Sequence, residues 1–423
     1  SPWSISWRSN SGISGTLRCT VSSCRLQSPH AVYYFGDGID FQASRDFQSN
    51  IQQKGLEVRT IFKTSYDPDI NLFKDRFHRL CYVLLCVVLI LFPFFLNEYF
   101  IGELTLTLIW AIAGMGLMIL VGQSGQVSLG HSAFMATGAY SVVILQSKLG
   151  LPFILALPAA GLISALLGVL IALPTTRLHG IYLAILTLAI SVLVEDIIVL
   201  AEPLTGGVNG MFASDIVIFG INFGRYSNIE NLYWLVLFTT ILLVLVYKNI
   251  LRTPIGRAFA SIRDSEVSAS AMGVNVVLTK AVAFGVSSFF TGIAGAFFGH
   301  FATAFNYETF NVIMSITILL MIVIGGVGSI HGAFFGAIVI TLLPVLISFL
   351  RDFIFQGTSI NLMALPGIET GIFSLILILV ILFEPRGIYG AWLKTRTYFE
   401  LFPLYRKDMF RRQKSYLKTE RLR

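Results

Sequence analysis

Long apolar runs constrain this chain more than any other feature. Ten windows of roughly 20 residues, bounded by polar residues, glycine or proline, carry few charges. Because a bilayer core offers backbone groups no water, a segment that crosses it must be a helix or a barrel strand, and runs of this length predict helices. We therefore predict an all-α polytopic integral membrane protein. The windows are 80–96, 101–121, 127–146, 153–173, 180–200, 232–250, 281–303, 310–327, 331–350 and 369–384.

Composition agrees with this class. Apolar residues make up 55% of the chain and charged residues only 13%, whereas soluble domains contain about 25% charged residues. The net charge of +7 does not predict nucleic-acid binding, because lysine and arginine concentrate beside the apolar runs and in the tail, where retention in the cytoplasm explains them. The four cysteines form no spacing typical of a metal site or a disulfide framework.

The distribution of basic residues predicts the orientation. With the amino end in the cytoplasm, the outside loops keep only Lys148, Arg225 and Arg351. About ten transmembrane helices then leave both termini cytoplasmic. The largest outside loop, about 201–231, is the predicted landing surface for an external partner. The inside loops carry Lys74, Arg76, Arg79, Arg177, Lys248, Arg252, Arg257, Arg263 and Lys280, and the tail adds more.

The chain divides into four predicted parts. Residues 1–57 lack helical periodicity, and two interpretations stay open: a disordered leader, or a wrongly assigned upstream extension translated ahead of a native start at Val58. Residues 58–79 form a cytoplasmic amino-terminal segment. Residues 80–384 form the transmembrane domain, which includes a cytoplasmic loop at 251–280. Residues 385–423 form a basic cytoplasmic tail.

A polar segment replaces the leucines expected of a lipid-facing helix. Gln123, Ser124, Gln126, Ser128 and His131 lie within it. Polar groups at membrane depth must face protein or water, so we predict either close packing through small residues or a lining of a translocation pathway. His131 alone is better interpreted as a hydrogen-bonded packing residue than as a proton relay.

Two glycine motifs are further candidates for the pathway. Gly206, Gly207 and Asn209 lie in an outside Thr-Gly-Gly-Val-Asn-Gly segment, which is either a tight turn or a substrate gate. It lacks the Lys-Ser/Thr of a phosphate loop, so no nucleotide site is predicted. Gly325 and Gly326 begin a short inside turn that favours a packed hairpin.

A separate series of glycines predicts close helix packing. Gly292, Gly295 and Gly299 recur at small-xxx-small spacing on one face of the seventh window, and Gly285 can extend that face. Small residues let two backbones approach closely inside a membrane. We expect the seventh span to pack tightly against a neighbour along this face.

The loop at 251–280, hereafter the insert, is the longest charged stretch between two apolar windows. Pro254 and Gly256 punctuate its start, and Arg257 to Met272 are predicted to form one helix that ends at Gly273. Such a helix can dock into a groove of a partner, or it can lie at the lipid headgroups.

The insert resembles the coupling loop of ABC importer permeases. The resemblance extends to the segments beginning at Gly122, Thr205 and Ile324, which resemble, in the same order, motifs of the M-type permease of branched-chain amino acid transporters. It covers roughly residues 58–395. One departure is Val267, where the family often has alanine. The coupling residues that the resemblance implies are Gly256, Arg257, Arg263, Asp264, Glu266, Ala269, Ala271 and Gly273.

The resemblance implies a heteromeric importer in the bacterial inner membrane. A second H-type permease subunit, two cytoplasmic ATP-binding subunits and a periplasmic substrate-binding protein would be its partners, and leucine, isoleucine or valine its substrates. ATP would be bound by the partner subunits, so this chain would need no cofactor or metal and would not be an enzyme.

Other functions stay open. A related importer for urea, short-chain amides or other amino acids has the same permease pattern. A secondary transporter would need buried acidic pairs, of which the apolar windows offer few. An intramembrane enzyme is disfavoured because no nucleophile and base pair occurs in a span, and a channel would leave the insert unexplained.

Overall fold

The computed structural model describes residues 3–8, 14–20, 23–26, 76–176, 178, 180–218, 220–355, 368–384 and 386–401. The chain separates into two units, Ser1–Ser65 and Tyr66–Arg423. In the first unit, strands β1 (Trp3–Arg8), β2 (Ser14–Thr20) and β3 (Ser23–Leu26) form an antiparallel sheet in sequential order. Residues 27–57 of the predicted leader, most of the 58–79 segment, Arg177 and residues 402–423 of the tail lie outside the described residues.

The second unit is built mainly of helices, as predicted. Short strands interrupt them: β4 (Met211–Phe212) pairs with β7 (Ala304–Phe305), and β5 (Ile216–Ile218) pairs with β6 (Ile221–Phe223). The helices are α1 (Arg76–Phe95), α2 (Glu98–Leu117), α3 (His131–Leu149), α4 (Phe153–Thr175), α5 (Ile181–Leu200), α6 (Glu202–Thr205), α7 (Ile229–Arg252), α8 (Pro254–Asp264), α9 (Glu266–Ala271), α10 (Val276–Ala302), α11 (Val312–Gly325), α12 (Ile330–Phe355), α13 (Ile368–Phe383) and α14 (Gly387–Leu401).

Seven helices within the described residues are long and apolar enough to cross a membrane, and the bent pair α13 and α14 raises the number to eight if it counts as one span. The chain is therefore a multi-pass membrane protein. The two other predicted spans are also helices: α1 has a shorter apolar part, Tyr82–Phe95, and α3 begins at His131 rather than at 127. The number ten stays a prediction.

Helix α10 forms the centre of the bundle and packs against α2, α3 and α4. Its glycines allow these contacts. A Cβ on Gly295 would lie 1.9 Å from the carbonyl oxygen of Met135 on α3, and a Cβ on Gly138 of α3 would lie 2.0 Å from that of Gly292. No side chain fits at such distances, so the predicted close packing of this face is confirmed.

Burial explains why α3 carries a polar sequence. Residues 131–136, 138–140, 142 and 143 of this helix are buried. A helix that is surrounded by other helices contacts little lipid, and its sequence does not need the hydropathy of a lipid-facing span. The lipid-compatible surface instead belongs to peripheral helices such as α4, whose Leu162, Leu166 and Leu173 are exposed.

The loops separate into two groups at opposite ends of the bundle. At the insert end, Arg263 donates to the carbonyl of Gly122, and Gln123 donates to that of Gly328. At the other end, the ladder between β4 and β7 joins residues 211–212 to 304–305. This separation matches the alternation of inside and outside loops that the basic residues predicted.

Candidate functional site

The first helix of the insert, α8, is fixed by its start. Thr253 is extended and Pro254 occupies the first turn, where its fixed φ favours a helix and its missing N–H costs nothing. Gly256 follows, and a Cβ there would lie 2.5 Å from the Cα of Leu251. Only glycine permits this sharp turn at the end of α7. Phe259 and Ile262 then anchor α8 because both side chains are buried.

The prediction of one helix from Arg257 to Met272 is wrong. Ser265 is extended, with φ −166° and ψ 117°, and it divides the segment into α8 and α9. Its side chain accepts a hydrogen bond from the backbone N–H of Ser268 at 3.3 Å, which satisfies one of the free amides of a new helix start. A serine at this position therefore favours a second helix over continuation of the first.

The predicted end at Gly273 is confirmed. This glycine has φ +84°, its N–H donates to Ser270 O at 3.0 Å, and the N–H of Val274 donates to Ala269 O at 3.0 Å. These two bonds make a complete Schellman motif. Helix α9 has only six residues, yet both of its ends are capped.

Helix α9 presents an apolar surface outside the spans. Ala269 is buried against the rest of the protein, whereas Val267 is 81% exposed and Met272 is 84% exposed. Large apolar side chains with this exposure, on a capped helix beyond the membrane-spanning segments, are typical of a docking surface for another protein. Methionine suits such a surface because its flexible side chain adapts to a partner.

The charged residues of the insert contact its own backbone and the neighbouring polar segment. Arg257 donates to Arg252 O at 3.3 Å. Arg263 forms an exposed ion pair with Asp264 at 3.2 Å, and its Nη1 donates to Gly122 O at 3.2 Å. The Arg263 side chain thus connects the insert to the end of the second span. Ala271 is exposed beside the docking surface.

The polar segment interrupts two helices at the insert end. Helix α2 continues from Met118 to Gln123 as a π-helix, and α3 starts only at His131. We call residues 118–130 the break. Gly125 has φ +72°, and Ser124 Oγ donates to Leu120 O at 2.7 Å. π-Helical turns are rare and frequently accompany functional sites.

Hydroxyl groups from distant helices satisfy the start of α3. Leu129 N donates to Thr187 Oγ1 at 2.9 Å, and Ser132 N donates to Ser315 Oγ at 2.8 Å. Ser132 Oγ lies 2.6 Å from Ser191 Oγ. A helix that starts inside a protein has free amides that need acceptors, and α5 and α11 supply them here. Ser128 contributes as well, since its Oγ accepts from Gly130 N at 3.3 Å.

His131 is fully buried and belongs to a defined hydrogen-bonded chain. Ser287 Oγ donates to Gly116 O at 2.7 Å, so its oxygen accepts from His131 Nε2 at 2.9 Å. The imidazole is therefore the Nε2–H tautomer. Its Nδ1 accepts no hydrogen bond from the described residues.

Gln126, within the break, is a second buried group without a partner among the described residues. Its side chain is 5% exposed, and neither its Oε1 nor its Nε2 bonds to any of the described residues. Buried amides are normally satisfied by protein or by ordered water. The side chain of Gln126 and Nδ1 of His131 can thus bind water or a polar solute.

The structure brings together only some of the predicted pathway residues. Gln123 Nε2 donates to Gly328 O at 3.2 Å, which joins the break to the turn after α11. In that turn a Cβ on Gly325 would lie 1.8 Å from Gly332 O, and Gly326 has φ +114°. Both glycines serve a tight hairpin, as predicted.

The Thr-Gly-Gly-Val-Asn-Gly segment lies at the opposite end of the bundle. Gly206 and Gly207 have φ of +73° and +58°. Thr205 Oγ1 donates to Ile198 O at 2.6 Å, which fixes the turn against the end of α5. Asn209 is exposed. The tight-turn interpretation accounts for the glycines, and the gate stays a prediction.

Sequence reasoning missed the residues that complete the break. Ser191 and Ser315 are isolated serines inside apolar windows, and that polarity at membrane depth was the available signal. Ser287 on α10 was also missed, and Lys280 was noted only as one of the basic residues of the inside loops. Among the residues that the structure describes, no three histidine, cysteine, aspartate or glutamate side chains are grouped as metal ligands.

Comparisons with known proteins agree with this architecture. Residues 99–383 match the family described as branched-chain amino acid transport system, permease component. The chain is 32% identical over 327 residues to the high-affinity branched-chain amino acid transport system permease protein LivM of Salmonella typhimurium, covering 72% of this chain and 73% of the relative. The Escherichia coli LivM protein is also 32% identical, over 333 residues, covering 73% and 74%.

A third relative shares fewer identical residues with the chain. The probable branched-chain amino acid transport permease protein LivM of Methanocaldococcus jannaschii is 26% identical over 295 residues, covering 68% of this chain and 84% of the relative. No solved structure matches the chain. The extent of the family match, together with the two relatives above 30% identity, shows that the chain belongs to the permease components of branched-chain amino acid transport systems.

Proposed function

We propose that this chain is the membrane-spanning permease subunit of an ABC importer that carries leucine, isoleucine or valine into the cytoplasm. ATP hydrolysis in partner subunits drives the transport. Those partners are a second H-type permease, two cytoplasmic ATP-binding subunits and a periplasmic substrate-binding protein, and the complex lies in the bacterial inner membrane. The names of the LivM relatives support the substrate class.

One observation carries the coupling mechanism. The six-residue helix α9 is capped at both ends, presents Val267 and Met272 to the outside, and lies beyond the spans. A partner that binds this surface therefore moves a rigid helix rather than a flexible loop. Arg263 extends the connection from the insert to Gly122, so motion of the insert reaches the break.

The break is the part of the pathway that we propose to move when the insert moves. Its backbone is non-helical between Gly125 and Gly130. Gln126 within the break, and His131 at the start of α3 directly after it, each have buried polar atoms that bond to none of the described residues. Irregular backbone at membrane depth is tolerated where it lines a cavity or is buried in protein. We assign these atoms to water or solute during transport.

The complete complex tests the function. The chain is produced together with a second permease, two ATPases and a binding protein of the same kind of transport system, and the complex is reconstituted in proteoliposomes. We expect uptake of radiolabelled leucine that requires both ATP and the binding protein. Uptake of urea but not of leucine, or leucine uptake that needs no ATP, would refute the proposal.

A pair of variants tests the docking surface. Met272→Asp places a charge on the exposed tip of α9 and disturbs no buried contact, so it should abolish co-purification of the ATPase subunits. Tyr226→Asp is the matched control, because Tyr226 is 81% exposed at the opposite end of the bundle. If Met272→Asp retains the ATPases as well as the control does, α9 is not their docking surface.

A further inference from the structure

Lys280 has an ammonium group enclosed by three helices. The residue lies near the start of α10 and is 1% exposed. Its Nζ lies 2.8 Å from Oε1 of Glu266, the first residue of α9. It also donates to the carbonyl oxygen of Thr176, the residue that follows the last turn of α4, at 3.5 Å. A single charged group therefore joins α9, α10 and the end of α4.

The surroundings explain why a charge is tolerated at this depth. A buried ammonium is costly unless it is paired and hydrogen-bonded. The carboxylate of Glu266 supplies the opposite charge, and the carbonyl of Thr176 at the C-terminal end of α4 supplies the negative end of a helix dipole. The two side chains differ in burial: that of Lys280 is 2% exposed and that of Glu266 is 30% exposed.

The covalent connection between α9 and α10 is short and leaves from the C-terminal end of α9. It consists of three residues after Met272, begins with Gly273 at φ +84°, and Gly273 has no atom within 4 Å of the position of a Cβ. This linker holds the C-terminal end of α9 through the hydrogen bonds of Gly273 and Val274, and it does not reach the first residue of α9. The ion pair bypasses it and ties the start of α9 directly to α10.

Other charged contacts of the insert are more exposed. The side chains of Arg263 and Asp264 are 42% and 72% exposed, so solvent and salt screen their attraction. A pair with a fully enclosed lysine is screened much less. Among the ion pairs of the insert that the structure describes, the one at Lys280 is thus best placed to transmit a displacement.

We propose that Lys280 is a positioning residue that transmits the movement of α9 to α10 and α4 during transport. This inference rests on the proposed function. The inference predicts that without the ammonium group the partner subunits still dock and hydrolyse ATP. The movement of α9 is then no longer transmitted to the spans. Since α10 packs against α2, α3 and α4, loss of this connection disengages the centre of the bundle.

The test measures ATP hydrolysed per leucine imported in the reconstituted complex. Lys280→Met keeps the length and apolar stem of the side chain and leaves behind only a partly exposed carboxylate. We expect this variant to retain the ATPases on purification and to raise the ratio about tenfold. Lys280→Arg should stay near the wild-type ratio. Lys148→Met is the matched control, because Lys148 is exposed at the opposite end.

A double variant separates a positioning role from a structural one. If Lys280 acts through Glu266, then Lys280→Met combined with Glu266→Gln should raise the ratio no further than Lys280→Met alone. If each substitution raises the ratio independently, so that the two increases multiply in the double variant, the inference is overturned. A Lys280→Met complex that melts at a lower temperature but keeps the wild-type ratio would overturn it as well. If the wild-type complex itself shows no ATP-dependent leucine uptake, the proposed function fails instead.

Discussion

Replacing Gly295 with alanine should destabilise the centre of the bundle. The new Cβ would lie 1.9 Å from the carbonyl oxygen of Met135, 2.7 Å from its carbonyl carbon and 2.9 Å from its Cα. All three obstacles are backbone atoms, so no side chain can rotate out of the way. Ordinary contact of a Cβ begins near 3.4 Å. Helices α3 and α10 must therefore separate by about 1.5 Å, within a close-packed interior that resists it.

Two effects set the magnitude. Overpacking a core costs about 1–3 kcal/mol, and a backbone obstacle places this site at the upper end of that range. Alanine in place of glycine favours the helix itself by up to ~1 kcal/mol, which offsets part of the clash. We expect a net loss of about 2 kcal/mol in the free energy of unfolding.

Thermal unfolding of the purified chain in detergent micelles measures this loss. Gly371→Ala is the matched control, because Gly371 is also helical but has no atom within 4 Å of its added Cβ. The control should unfold at the wild-type temperature or slightly above it. If Gly295→Ala unfolds at the same temperature as the control, α3 and α10 do not pack as closely as described.

Three further predictions concern the insert and the break. Phe259→Ala removes a fully buried ring and should cost about 3–5 kcal/mol in unfolding experiments. Ser315→Ala leaves the N–H of Ser132 without its acceptor, so it should cost about 1–3 kcal/mol, and unchanged thermal stability would contradict this network. Gln126→Leu removes a buried amide that has no protein partner among the described residues. It should leave the melting temperature unchanged or raised while leucine uptake falls, and normal uptake would exclude Gln126 from the pathway.

The sequence predicted the helical membrane class and the separation of the two ends well, because both follow from local patterns. Apolar runs predict spans wherever lipid is the neighbour. Helix α3 is harder to predict from the sequence, because its neighbours are other helices rather than lipid. Its hydropathy therefore says less about whether it spans the membrane. Its polar residues indicated a special site, but the break could only be located from the backbone.

Local chemistry also explains the error in the insert. A continuous helix from Arg257 to Met272 is the simplest interpretation of a segment without proline or glycine, but it neglects the ability of Ser265 to cap a new helix. The C-terminal end was predictable because Gly273 is a strong stop signal. In the insert, short sequence patterns thus predict where a helix ends more reliably than whether it continues without interruption.

Long-range contacts could not be predicted from local patterns. Ser191 lies 59 positions from Ser132 along the chain, and Ser315 lies 183 positions away. Only the packing of α3 between α5 and α11 brings their hydroxyl groups together. The contact of Lys280 with Thr176, 104 positions apart, depends in the same way on how α4 meets α10.

The central claim is that this chain conducts amino acids but is moved by energy released in other subunits. The most direct test compares leucine accumulation in proteoliposomes that contain the chain and the second permease, with and without the two ATPases. In the presence of binding protein and ATP, we expect accumulation only when the ATPases are included. Accumulation against a gradient without the ATPases would contradict the account.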